Sequence, residues 1–182
     1  MPDSAIASSL TPGEPSRAGG EQALADRFGA LAVTMLNDTE LVPSWSISFI
    51  ANFFTGPIYR DVGERFGLSR PEFVILFSLL QKPGLVARDV SLATGLPKNS
   101  ISRAVSDLLG KALIERETDV GDKRAKLLRL TRAGQEVISQ VVPLFEVRQT
   151  AMRAVLSAPE RATFDALLAK MIHAMPDWVG SD

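Results

Sequence analysis

Residues 82–117 read KPGLVARDVSLATGLPKNSISRAVSDLLGKALIERE. Two short helical patterns sit inside this stretch, one ending at Thr94 after a start at Val86 or Arg88, the other over residues 98–110. Gly95 suits the tight exit from the first, and a turn of three or four residues joins them. Val90, Ala93, Leu96, Ile101, Val105 and Leu108 supply the apolar positions that let two such helices pack on each other. This is helix-turn-helix spacing. Directly downstream, residues 113–117 are strand-like, residues 119–123 form a loop around Gly121, and residues 126–130 make a second strand with Leu128 and Leu130 on one face. A helix-turn-helix followed at once by a two-stranded hairpin predicts a winged helix, so the fold class is mainly α with a small β wing (α+β).

Working outward, the remaining sequence is helical. Residues 1–20 are rich in Ser, Pro, Gly and Ala and read as a disordered tail. From Glu21 the apolar positions Leu24, Phe28, Leu31, Met35 and Leu36 predict one amphipathic helix to about Asn37. A second helix is expected after Pro43, with Ser44 as a candidate N-cap and a disturbance at Gly56-Pro57, reaching about Phe66. Ser69 caps the next, with Pro71 in its first turn and Phe73, Leu76, Phe77 and Leu80 as the inner stripe. Thr131 opens a long helix to about Leu156, bent near Pro143. Ser157, Pro159 and Glu160 form a capping box for the last. There Phe164, Leu167, Leu168, Met171, Ile172 and Met175 make a stripe wider than one small domain needs, of the kind long terminal helices bury against a second subunit. The domain reading is a tail at 1–20, N-terminal dimerisation helices at 21–66, a DNA-binding winged helix at 67–132 and C-terminal dimerisation helices at 133–182.

Composition narrows the chemistry. The 182 residues contain no cysteine and one histidine, His173, which removes disulfides, thiolate metal sites and a histidine cluster, so no metal or other cofactor is expected. A Ser/His/acid triad has only His173 to draw on, and neither a nucleophile elbow, a phosphate loop nor a dinucleotide fingerprint is present, so an enzyme is not expected. Residues 41–59 carry no charge, but Pro43, three serines, Asn52, Thr55 and Gly56-Pro57 interrupt their apolar character, so a buried or dimer-facing helix is expected there and no membrane partner. With no basic, apolar leader at the start, the protein is expected in the cytoplasm.

Charge is segregated. The net charge is -1, yet residues 86–132 hold ten basic and six acidic side chains, a surplus of four that leaves the remainder at -5. Basic surface concentrated on a helix-turn-helix and its wing suits phosphate binding, because released counterions drive association. A solvated face of paired charges is the plain alternative. Near the start of the second helix, Lys98, Asn99, Ser100, Ser102 and Arg103 would meet base edges or phosphates of double-stranded DNA, with Arg103 the candidate for a bidentate contact to guanine. Lys123 and Arg124 sit at the wing tip, where an arginine suits the narrow minor groove.

These stretches resemble the MarR (multiple antibiotic resistance regulator) family of winged-helix transcription regulators. The likeness is carried by LSRPEFVILFSLL (68–80), NSISRAVSDLLGKALIERE (99–117) and above all GDKRAKLLRLTRAG (121–134), and it spans about residues 47–175. The resemblance implies a sequence-specific regulator, a ligand-responsive repressor, binding a pseudo-palindromic operator as a homodimer. It also implies that the first and last helices interlock, and that Arg124 is the wing arginine with Gly121 and Asp122 supporting the wing. Two positions depart from the pattern: Ser106 stands where an aspartate usually pairs with the wing arginine, and Ala112 replaces the usual glycine before the first wing strand. A winged-helix protein-interaction module without specific DNA binding is the alternative.

Eight of the twelve aromatic residues fall between positions 45 and 77. Trp45, Phe49, Phe53, Tyr59, Phe73 and Phe77 are candidates to line a pocket for a small aromatic or lipophilic effector, or else belong to the core or a dimer interface. Arg60, Arg65 and Arg70 are the cations that would meet an anionic group on such a ligand.

Overall fold

The structure is a computed structural model that describes residues 17–118, 121 and 125–180. It divides into two compact units, the boundary falling within one helix between Phe53 and Phe54. No helix among the described residues is long and apolar enough to cross a membrane.

The first unit contains α1 (Arg17–Phe28), α2 (Ala30–Asn37) and the opening turns of α3 (Val42–Phe66). Three expectations change here. Residues 17–20, expected in the tail, form the first turn of α1. The single helix expected over 21–37 is two, broken at Gly29, whose φ of 86° is open to glycine and strained for any side chain. Helix α3 begins at Val42, ahead of Pro43, so Ser44 lies inside its first turn and is not its cap. A proline is tolerated there because its missing N–H would have had no helical partner. Phe28 stacks edge-on to Phe49 at 5.2 Å and lies 4.6 Å from Phe53, giving the unit an aromatic centre.

The second unit begins with the rest of α3, which runs through Gly56-Pro57 without interruption to Phe66. It continues with α4 (Arg70–Gln81), α5 (Ala87–Thr94), α6 (Lys98–Gly110), β1 (Ile114–Thr118), β2 (Lys126–Leu130), α7 (Arg132–Arg153), α8 (Ala158–His173) and the short α9 (Met175–Trp178). The two strands pair antiparallel, Ile114 opposite Leu130 and Thr118 opposite Lys126. A third element joins them, since Leu85 bridges Leu128, with the Leu128 N–H donating to the Leu85 carbonyl at 2.8 Å. Thus the architecture is a mainly helical winged helix with a two-stranded wing, as the sequence predicts.

Its core gathers Ile58 and Val62 of α3, Ile75, Leu76 and Leu79 of α4, Val90 of α5, Ile101, Val105 and Leu108 of α6, Leu128 of β2, and Ile138 and Val141 of α7. The inner stripe of α4 differs from the expected one. Phe73 and Leu76 are buried, but Phe77 and Leu80 are 41% and 43% exposed, and Ile75 and Leu79 take the inner positions. Apolar residues almost surround this helix, so its neighbours decide which side faces in. On α5, Ala93 is exposed and Ser91 is buried instead, its hydroxyl donating to the Leu96 carbonyl at 2.8 Å. Helix α7 stops at Arg153, one turn before the expected Leu156, and α8 starts on the expected capping box, the Ser157 N–H donating to the Glu160 carboxylate at 2.7 Å. Arg153 joins the two helices by a bidentate pair to Asp165 at 2.6 and 2.7 Å.

Candidate nucleic-acid interface

Helix α6 is strongly two-sided. Ile101, Ala104, Val105 and Leu108 recur at steps of three, one and three and are buried, which leaves Lys98, Asn99, Ser102, Arg103 and Ser106 exposed on the opposite face. Ser100 is half-buried at the edge. The helix opens on Pro97 with no acidic side chain in its first turn, so the positive end of its dipole is left to attract anions. Asn99 accepts from the Ser100 N–H at 2.8 Å, which fixes the first turn. Arg103 and Asp107 line a shallow hollow of about 210 Å³ with Ser69 and Pro71 of the α4 N-terminus. Ser106 gives its hydroxyl proton to the Ser102 carbonyl one turn back, at 3.2 Å.

What holds this helix at its angle was not read from the sequence. Lys111, just past the end of α6, donates to the Gly67 carbonyl at 2.6 Å and to the Glu72 carboxylate at 2.5 Å. Glu72 is only 3% exposed and also receives the Ser69 N–H and hydroxyl, each at 2.7 Å. Burial alone would push its carboxyl up. The hydrogen bonds from Lys111 and Ser69, with the Lys111 charge, outweigh that and hold it below its ordinary value of 4.5. The capping box of α4 is therefore also the anchor of α6, and the only advance signal was the local one, a serine three residues before a glutamate.

Helix α6 ends in a Schellman turn: the Leu113 N–H donates to the Leu108 carbonyl at 3.0 Å and the Ala112 N–H to the Leu109 carbonyl at 3.0 Å. The left-handed position of that turn is Ala112, at φ 54°. This accounts for the usual glycine there, and it means that the alanine of this chain is strained. The base of the wing is then clamped to α7. The Thr131 N–H donates to the Leu113 carbonyl at 3.1 Å, its hydroxyl donates to the Ala112 carbonyl at 2.8 Å, and the same oxygen accepts from the Gly134 N–H at 3.1 Å. Along the wing, Glu117 pairs with Arg129 at 2.5 Å and Lys126 donates to the Thr118 hydroxyl at 2.9 Å. Gly121 is exposed between the strands. Asp122, Lys123 and Arg124, the expected wing acid and basic tip, lie outside the described residues.

The six candidate pocket residues fall into two groups of three. In the first unit, Trp45 and Phe49 line a hollow of about 190 Å³ with Phe28, Leu31, Met35 and Leu36, and Phe53 lies against Phe49 at 4.5 Å. In the second unit, Phe73 stacks on Phe77 at 5.8 Å and on Phe145 of α7 at 4.7 Å, with Tyr59 5.9 Å from Phe73. Phe73, Phe77 and Phe145 line a larger hollow of about 440 Å³. Phe145 is too distant in sequence for local spacing to have linked it to the others. Arg65 and Arg70 lie over the rings of Phe66 and Tyr59, at 5.3 and 5.5 Å, rather than along this lining. No cluster of His, Cys, Asp and Glu suited to a metal ion occurs among the described residues.

Comparison with known proteins points the same way. Residues 66–125 match the family model described as MarR family. The transcriptional regulator HosA of Escherichia coli O127:H6 is 26% identical over 106 residues, covering 58% of this chain and 78% of HosA. A MarR-family transcriptional regulator from Silicibacter pomeroyi superposes with a TM-score of 0.64 at 25% identity, over 79% of this chain and 97% of that one. The S. aureus MepR–DNA complex gives a TM-score of 0.66 at 23% identity, over 76% and 99%. The helix-turn-helix, the hairpin clamped to the following helix and these likenesses agree: residues 66–125 carry a MarR-family winged helix, and the chain is similar to MarR-family transcription regulators over about three quarters of its length.

Proposed function

We propose that this chain is a ligand-responsive repressor that acts in the cytoplasm and binds a pseudo-palindromic operator as a homodimer. The observation that carries this reading is the outer face of α6, where Lys98, Asn99, Ser102 and Arg103 are all exposed beside a helix N-terminus free of acidic side chains. In the proposal α6 enters the major groove, Arg103 reads guanine, and Lys98, Asn99 and Ser100 hold phosphates. Lys123 and Arg124 reach the flanking minor groove from the wing, with Gly121 and Asp122 shaping it. That MepR was solved as a complex with DNA supports the assignment.

The dimer is assigned to the terminal helices, residues 21–66 and 133–182, which leave the winged helix at 67–132 to face DNA. Exposed Leu167, Met171, Ile172 and Trp178 support this division, since apolar side chains 44–63% exposed gain by burial against a partner. A small aromatic or lipophilic effector is assigned to the aromatic hollow on α4 and α7, where it would favour a dimer whose α6 helices are wrongly spaced for successive grooves.

The test is the salt dependence of binding to genomic duplex fragments. Roughly eight phosphate contacts per dimer give a slope near -7 in log K against log salt. A slope near zero would remove DNA as the partner and leave a protein-interaction module.

A further inference from the structure

The hollow on α4 and α7 has an uneven chemistry. Its walls are the rings of Phe54, Phe73, Phe77 and Phe145, and its polar lining is Glu146 and Gln149. Among the described residues that line it there is one carboxylate, one amide and no lysine or arginine. Glu146 is exposed, so the carboxylate stands at the rim rather than in the wall. Phe77 is 41% exposed and stacks at 26° on Phe73, which in turn lies within 9° of parallel to Phe145. The three rings form a continuous stack along the hollow, with Phe77 its exposed member, and a ring face carries the negative side of the aromatic quadrupole. At about 440 Å³ the hollow is within the range of small-molecule sites.

Resting on the effector reading above, we propose that this hollow selects lipophilic cations: a ligand with an apolar ring or chain and a quaternary or protonated amine, its charge set against the phenylalanine faces and the Glu146 carboxylate. Both features act in one direction. Aromatic faces attract a cation within about 6 Å of the centroid, and a carboxylate at the mouth adds attraction for a positive ligand and repulsion for a negative one. No lysine or arginine is among the lining residues to reverse this preference, Arg65 lying over Phe66 and Arg70 over Tyr59. An aromatic carboxylate would therefore bring its charge to the one acidic group of the site.

The experiment is calorimetric titration of the full chain with three matched probes: benzyltrimethylammonium, its uncharged carbon isostere neopentylbenzene, and 4-tert-butylbenzoate. The expected order is cation first, by at least about tenfold over the neutral isostere, with the anion weakest. Glu146→Gln should shrink the ratio of cation to neutral several-fold and leave the affinity for neopentylbenzene unchanged. Phe77→Leu, which keeps apolar volume but removes the exposed ring, should weaken the cation more than the isostere. If the neutral or anionic probe binds as tightly as the cation in a Phe77-dependent manner, the cation assignment falls and the effector hollow stands. If none of the three binds at millimolar concentration, both fall.

Discussion

Replacement of Gly134 by alanine tests how the wing is held. A Cβ built at Gly134 would lie 2.0 Å from the Leu113 carbonyl oxygen, 3.0 Å from its carbon and 3.4 Å from the Leu130 side chain. Ordinary contact begins near 3.4 Å, so the start of α7 would have to retreat by about 1.4 Å from the wing base. That retreat stretches both bonds from Thr131, now 3.1 Å to Leu113 and 2.8 Å to Ala112, beyond hydrogen-bonding range. Two lost bonds at about 1 kcal/mol each, with overpacking at about 1 to 3 kcal/mol, give an expected destabilisation of about 3 to 5 kcal/mol. The assay is urea denaturation at one fixed protein concentration, because the stability of the proposed dimer depends on it. Gly63→Ala is the control: inside α3 its Cβ meets only the Leu68 carbonyl oxygen at an ordinary 3.7 Å, so the same substitution should stabilise by about 0.5 to 1 kcal/mol. A Gly134→Ala cost below about 1 kcal/mol would refute the clamp.

Other outcomes follow from the same geometry. Ala112→Gly should raise stability by up to about 1 kcal/mol in the same denaturation assay, since a left-handed alanine is strained and the Schellman turn is already formed. Glu72→Gln should cost about 2 kcal/mol at pH 7, below the range for a fully buried pair because Lys111 is 39% exposed and can turn to water. Because the folded protein holds the Glu72 carboxyl below its ordinary value of 4.5, the stability it contributes is complete above that value and is lost as pH falls through the lower, folded one. The gap between wild type and Glu72→Gln should therefore narrow in acid, and a gap constant from pH 7 to pH 3 would contradict the network. Arg103→Ala should lower affinity for a selected site by about 1 to 3 kcal/mol and relax the preference at one base position, read by anisotropy titration against single-base variants.

Where the chain signals locally, the sequence was legible. Helix α6 over 98–110, the strand at 126–130, the Thr131 cap and the Ser157 capping box were all read from apolar period and capping chemistry, which act within a turn or two. Gly29 and Pro57 show the limit of that reading. A glycine inside a helical pattern was passed over and breaks the helix, whereas a Gly-Pro pair was expected to disturb one and does not. Neither outcome is set by the residue alone, since neighbouring packing decides whether the lost helical bond is tolerated. The orientation of α4 was misread for a related reason: with apolar residues almost all round, only the packing of α5, α6, β2 and α7 could say that Ile75 and Leu79 face inward. The single bridge from Leu85 to Leu128, the tie from Lys111 to Glu72 and the stack of Phe73 on Phe145 join residues far apart in the chain, where no periodicity reaches. Of the candidate interface, Lys98, Asn99, Ser102 and Arg103 are exposed on α6 and Ser100 is half-buried at its edge, while the pocket candidates, grouped by nearness in sequence, separate into two clusters.

The central claim is that α6 and the wing read a defined DNA sequence, and selection of bound duplexes from fragmented genomic DNA tests it most directly. The purified protein should enrich a pseudo-palindrome with half-sites about one helical turn apart, and an Arg103→Ala, Arg124→Ala double variant of the same stability should lose that enrichment. Fragments recovered without any shared sequence, and equally by both proteins, would contradict it.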